Sequence, residues 1–174
     1  MRRMRLWFSI AVAAALLVVT GCNRDESIKD LETFTVVREH KEGRLSYDTN
    51  PPTGGVHNPG WQNCGIYDKQ VALENAVHSL EHGAVWLTYQ PNLDPAQIEK
   101  LRSLARGRGY MLVSPYIYGA LQKPIYAVAW GLRLGVDSAD DPRLPKFITK
   151  YMNGKQTPEL GASCSGAIGS PTEQ

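Results

Sequence analysis

The chain has 174 residues, 43% apolar and 21% charged, the size of one domain plus a targeting segment. Three of its 19 basic residues, Arg2, Arg3 and Arg5, sit at the very start, so beyond the leader 16 basic side chains face 17 acidic ones. No basic block or stripe remains there, which argues against nucleic acid as a partner.

In chain order, the first element is a targeting segment. Arg2, Arg3 and Arg5 precede an apolar run over residues 6–19, a secretory pattern that falls short of the roughly 20 residues a spanning helix needs. Val19-Thr20-Gly21-Cys22 follows and has the form of a lipobox, a branched apolar residue and two small ones before cysteine. Residues 1–21 therefore read as a signal peptide and Cys22 as the lipidation site. Diacylglycerol and palmitate chains would hold the protein on the extracytoplasmic side of the cell membrane, each buried methylene contributing about 0.8 kcal/mol. The alternative is an uncleaved anchor helix with a chance cysteine. Membrane lipid through Cys22 is the one partner indicated; no protein partner is named by the sequence. Residues 23–31 read as a polar tether, 32–164 as the globular domain and 165–174 as a flexible tail.

Within the domain, residues 33–38 are rich in β-branched side chains and predict a first strand. Residues 41–63 are dense in Gly, Pro, Asn and Asp and predict a long ordered loop, a common place for function. A short helix is predicted over 73–82, stopped by Gly83, then a strand over 84–89. Asp94-Pro95 pairs an N-cap acceptor with proline at the first helical position. Ile98, Leu101, Leu104 and Ala105 give that helix its apolar stripe, and Gly107 ends it. Strands are expected over 110–114 and 125–130. A last helix is expected over roughly 145–152 with Phe147, Ile148 and Tyr151 inward, starting late because Pro145 lacks an N–H. Such partial alternation suits an α+β fold: a single compact domain with a small mixed β-sheet covered by helices. Trp86 and Trp130 read as core, and Trp61 as a lid on the core or a pocket wall.

With Cys22 assigned to lipid, Cys64 and Cys164 remain, an even pair in an oxidising compartment. A disulfide is expected; it would close a loop of about 100 residues and stabilise by roughly 4–5 kcal/mol in the chain-entropy model. Two free thiols or a redox-active pair are the alternatives, and no C-x-x-C spacing supports redox chemistry.

The four histidines, His40, His57, His78 and His82, all precede residue 83. His78 and His82 are four apart on a predicted helix and project from one face, a two-point clamp for a metal ion, and His57 in the Gly/Pro loop can supply a third imidazole. Three imidazoles suit copper or zinc. Glu81 is a candidate spare ligand or orienter of an imidazole, Met111 a candidate thioether for copper, and His40 a further candidate ligand. The geometric expectation is that the nitrogens of His57, His78 and His82 converge to within about 3–4 Å of one another. The competing reading gives these histidines to the fold: His82 as a helix-end cation, His78 as a satisfied core residue, His57 as a loop hydrogen-bonder. The segment from His78 to His82 also matches H-x-x-E-H, an inverted zinc-protease pattern with the glutamate as general base and a distant residue such as Glu159 as third ligand. Gly83 and the strand after it argue against that reading, because the protease motif needs a continuing helix. An enzyme is therefore the less favoured class.

Several segments carry a resemblance. Pro51-Pro52-Thr53-Gly54-Gly55-Val56-His57, Trp61, Gly65-Ile66-Tyr67, the stretch 77–85, Ser114-Pro115-Tyr116, Ala129-Trp130-Gly131 and Thr157-Pro158-Glu159 resemble an uncharacterised bacterial family, domain of unknown function 3105, over roughly 33–164. Asn63-Cys64-Gly65 and the stretch 137–143 look like its actinobacterial branch, whose members are often short lipoproteins or single-pass proteins. The resemblance implies no activity; it implies that the His57 loop and the His78–His82 helix are the signature region. Gly54 stands where members often carry serine, so no hydroxyl role is assigned there.

Overall fold

A computed structural model describes residues 27–174; the expected signal peptide, Cys22 and the start of the expected tether lie outside the described residues. The elements run β1 (Glu32–Thr33), β2 (Arg38–His40), β3 (Gly55–His57), β4 (Gly65–Ile66), α1 (Leu73–Glu81), β5 (Val85–Tyr89), α2 (Pro95–Ala105), β6 (Met111–Pro115), β7 (Ile125–Ala129), β8 (Leu132–Val136) and α3 (Arg143–Tyr151). Six strands form a mixed sheet in the order β1-β8-β7-β5-β6-β4, and β2 with β3 forms a second, parallel pair. The α+β expectation holds. No helix among the described residues is long and apolar enough to cross a membrane.

Side chains alternate across the central strands, so the sheet has two apolar faces. On one, Val85, Leu87, Met111, Val113, Ile125 and Leu134 pack with Leu101 and Ala105 of α2 and with Leu144, Phe147 and Ile148 of α3. On the other, Trp86, Leu112, Tyr126 and Val128 pack with Ala76, Val77 and Leu80 of α1. Helix α2 begins as its sequence requires: Asp94 accepts from the Ala96 N–H at 2.8 Å and Pro95 takes the first helical position.

Three local expectations are corrected. The strand expected over 33–38 is divided. β1 pairs with β8, the chain crosses Gly131 through the Phe34 N–H (2.8 Å), and β2 then pairs with β3. One β-rich run thus serves two sheets. β8 was not anticipated; it returns from β7 through a two-residue turn in which Gly131 has φ +69°. Helix α3 starts at Arg143, earlier than expected, with its backbone N–H donating to Asp141 Oδ1 at 2.9 Å. Pro145 then lies in the first turn, where N–H groups have no intrahelical acceptor and proline is harmless.

Cys64 and Cys164 are disulfide-bonded, with Cα atoms 5.3 Å apart. The 165–174 tail lies along β4: the Asn63 N–H donates to Ile168 O (2.8 Å) and the Ile66 N–H to Glu173 O (2.9 Å), and Glu173 pairs with Arg102 and Arg106.

Candidate metal centre

Helix α1 positions the site. Ala76, Val77 and Leu80 turn toward the sheet, while its other face carries Asn75, His78, Ser79 and Glu81, all buried. Buried polar groups require partners, and the loop before the helix supplies them. Asn75 donates to Gly60 O at 2.5 Å, Ser79 to Gln62 O at 2.6 Å, and His78 Nδ1–H to Asn58 O at 2.7 Å. The helix stops at Gly83, whose φ of +104° favours glycine and whose Cβ would crowd Asn153 and Thr157. That stop leaves His82 at the helix end, buried, with Nδ1–H donating to Ser163 O at 2.6 Å beside the disulfide.

The parallel β2–β3 pair brings the remaining histidines together. Its register sets His40 opposite His57, and because alternate residues share a face of a strand, Arg38 joins His40 on that side. His57 is held by its backbone, whose C=O accepts from the Lys41 N–H at 2.8 Å, and by Nδ1–H donating to Gly55 O at 2.8 Å.

Glu81, fully buried, lies where these parts meet. Its Oε1 accepts from Arg38 Nε at 2.6 Å and its Oε2 from His57 Nε2 at 2.8 Å. The Nε2 atoms of His40 and His78 stand 3.6 and 3.8 Å from the same Oε2. One donor atom each from His40, His57, His78 and Glu81 falls within 4.8 Å of the others. A tetrahedral ion with bonds near 2.1 Å needs donors about 3.4 Å apart, so a closure of at most about 1.4 Å at the widest pair completes such a shell.

His78, His82 and Glu159 form a second group whose donor atoms also lie within 4.8 Å of one another. Ring centroids lie 4.7 Å apart from His40 to His57, 4.8 Å from His57 to His78 and 4.9 Å from His40 to His78, so these three rings form a triangle, and His82 extends it 4.5 Å beyond His78. Trp130 meets His57 edge-on at 5.7 Å, and Trp61 lies 5.0 Å from His82. Trp130 is therefore core and site wall at once, and Trp61 walls the outer end.

The expected triad is thus divided. His57 and His78 share one group with His40 and Glu81, while His82 joins His78 and Glu159. Met111 packs on the α2–α3 side of the sheet with Val85 and Leu87, facing away from α1, and is corrected out of the site. Arg38 was missed, and its one signal was position: it lies two residues before His40 at the end of a β-rich run.

The charges follow from these contacts. Burial resists ionisation of Glu81, but the His57 hydrogen bond and the Arg38 guanidinium outweigh it and hold the carboxyl down to about 2. Burial likewise opposes protonation of His57, yet its bonds to Glu81 and to the Gly55 carbonyl raise its pKa. With acceptors at both ring nitrogens, His57 is an imidazolium paired with a carboxylate. His78 is different: burial, with neighbouring His82 and His57, pushes it down to about 4 against the opposing Asn58 carbonyl. At neutral pH it is an uncharged imidazole with Nδ1–H on Asn58, so Nε2 offers a lone pair to the cluster.

The arrangement does not match the inverted protease pattern. There the glutamate polarises a water on an ion held by both histidines; here both Glu81 oxygens are engaged and α1 ends at once.

A family model described as "Protein of unknown function (DUF3105)" matches residues 39–166, a span holding every histidine of the site, both carboxylates and both bonded cysteines. Comparisons with curated proteins and with solved structures give no match.

Proposed function

The chain belongs to the DUF3105 family, and for this member we propose an exported, lipid-anchored protein that holds one transition-metal ion, copper or zinc, on His40, His57, His78 and Glu81. The observation that carries the reading is the treatment of the imidazoles. His57 and His78 each commit Nδ1–H to a backbone carbonyl and turn Nε2 toward one buried carboxylate. Histidine ligands are held in this way, because the bond at one nitrogen fixes the tautomer and ring angle at the other. Imidazole and carboxylate donors suit zinc and copper alike.

Export is supported by the arginine-led apolar leader, by the lipobox ending at Cys22 and by the Cys64–Cys164 bond, which belongs to an oxidising compartment. Replacing Cys22 with alanine is expected to move the protein from the membrane fraction to the soluble one.

The test is metal uptake by full-length protein purified without a histidine tag. About one equivalent of Cu²⁺ or Zn²⁺ is expected, and His78→Ala is expected to abolish it. Stoichiometric uptake that survives simultaneous alanine replacement of His40, His57 and His78 contradicts the assignment. A second reading, in which the cluster serves only the fold, has its own support: the ring nitrogens of His57 and the oxygens of Glu81 all have partners without any ion. It expects His78→Ala to lower the melting temperature while Zn²⁺ leaves both proteins' melting unchanged.

A further inference from the structure

The four-donor centre leaves His82 and Glu159 beside it, with donor atoms that also lie within 4.8 Å of His78 and of each other. We infer that the bound ion has two mutually exclusive positions sharing His78, an inner one on His40, His57, His78 and Glu81 and an outer one on His78, His82 and Glu159. The inference rests on the metal reading above.

Exclusivity follows from the chemistry of His78. Its Nδ1–H is committed to Asn58 O at 2.7 Å, so it has one lone pair, on Nε2, and one lone pair serves one ion. Charge points the same way. With His57 deprotonated at Nε2 to bind the ion, the two carboxylates and the Arg38 guanidinium sum to one negative charge; one divalent ion leaves the cluster at plus one, and two would leave it at plus three. Excess charge of that size is strongly disfavoured in a largely buried cluster.

The outer position is built on the same plan as the inner one. His82 gives Nδ1–H to Ser163 O at 2.6 Å, leaving Nε2 3.5 Å from Glu159 Oε2. Arg38 ties the two positions together: its Nε binds Glu81 Oε1 and its Nη2 binds Glu159 Oε1. Each carboxylate therefore keeps Oε2 for the imidazoles. Each position has a partly exposed donor: His57, His78 and His82 are buried, while the side chains of His40 at the inner position and Glu159 at the outer one are 48% and 33% exposed. Movement between the positions is ligand exchange at constant oxidation state. Bonds from the ion to the inner donors break as bonds to His82 and Glu159 form, and His78 stays bound throughout.

The test is electron paramagnetic resonance of the full chain loaded with Cu²⁺. Wild-type protein is expected to saturate at one equivalent and to show two sets of parallel hyperfine lines. His82→Ala and the gentler Glu159→Gln are each expected to lose one set, and His57→Ala the other. Saturation at two equivalents overturns the shared His78, and a single set of lines indifferent to His82→Ala and Glu159→Gln overturns the outer position. Failure of wild-type protein to bind any Cu²⁺ or Zn²⁺ is a different result, which overturns the metal reading itself.

Discussion

The two faces of the central sheet are covered in opposite ways. Helices α2 and α3 close one face mainly with apolar side chains, and ion pairs such as Lys100–Asp140 stay at the surface. Helix α1 closes the other with an apolar stripe against the sheet and a buried polar face of Asn75, His78, Ser79 and Glu81. Burying polar groups is costly unless each finds a partner, and a helix selected only for stability would follow the α2–α3 plan. The difference teaches that the α1 side is arranged around its polar cluster, with the 55–63 loop, the β2–β3 pair and the disulfide-held 163–164 segment supplying what the cluster needs.

The largest expected effect breaks the α1 side from outside. Replacing Cys64 and Cys164 with alanine frees a loop with a sequence separation of 100 and is expected to lower stability by about 4–5 kcal/mol. Urea unfolding should show that loss. It also loosens Ser163, so the His82 ring should lose its carbonyl while His57 and His78 keep theirs. On the opposite face, Phe147→Ala is expected to cost about 3–5 kcal/mol, measured in the same way, with metal stoichiometry per folded molecule unchanged. If Phe147→Ala abolishes metal binding in protein that is still folded, the separation of the two faces is wrong.

A smaller effect sharpens the comparison through pH. His78 is lowered to about 4 and Glu81 to about 2 in the folded protein. In both cases the unfolded chain binds the proton more readily, so stability falls as pH falls. His78 contributes between its ordinary 6.5 and about 4, and Glu81 between its ordinary 4.5 and about 2. His57, raised by Glu81 and Gly55, acts in the other direction, its stabilisation fading as pH rises through the folded-state value. Metal-free protein is therefore expected to lose on the order of 3 kcal/mol across the Glu81 range, at 1.36 kcal/mol per unit. Unfolding midpoints should show this slope, and Glu81→Gln should flatten it below pH 4.5.

What was legible in the sequence is what local chemistry determines. Helix α2 announces itself through Asp94, Pro95 and a four-residue stripe, and α1 through the Gly83 stop. β8 was legible in principle, because Leu132, Leu134 and Val136 alternate behind a glycine turn; the intervening Arg133 and Gly135 hid it. The site was half legible. Helical spacing put His78 and His82 on one face, but the company of His40, His57 and Glu81 depends on a parallel β2–β3 pairing across 14 intervening residues, which no local pattern encodes. Arg38 and Glu159 meet 121 residues apart, and only the fold can bring them together. Met111 was the converse error: correct chemistry on a strand position whose parity points it through the sheet to the other face.

The central claim is that His57 and His78 hold a metal through Nε2 while Nδ1–H stays on Gly55 and Asn58. Long-range ¹H–¹⁵N correlation of the histidine rings during Zn²⁺ titration tests it most directly. The expected result is that Nε2 of His57 and His78 moves to the position of a metal-bound nitrogen, reaching its limit at one equivalent, with both Nδ1–H signals retained. Rings whose ¹⁵N signals ignore Zn²⁺, or that lose Nδ1–H and keep Nε2–H, would contradict it.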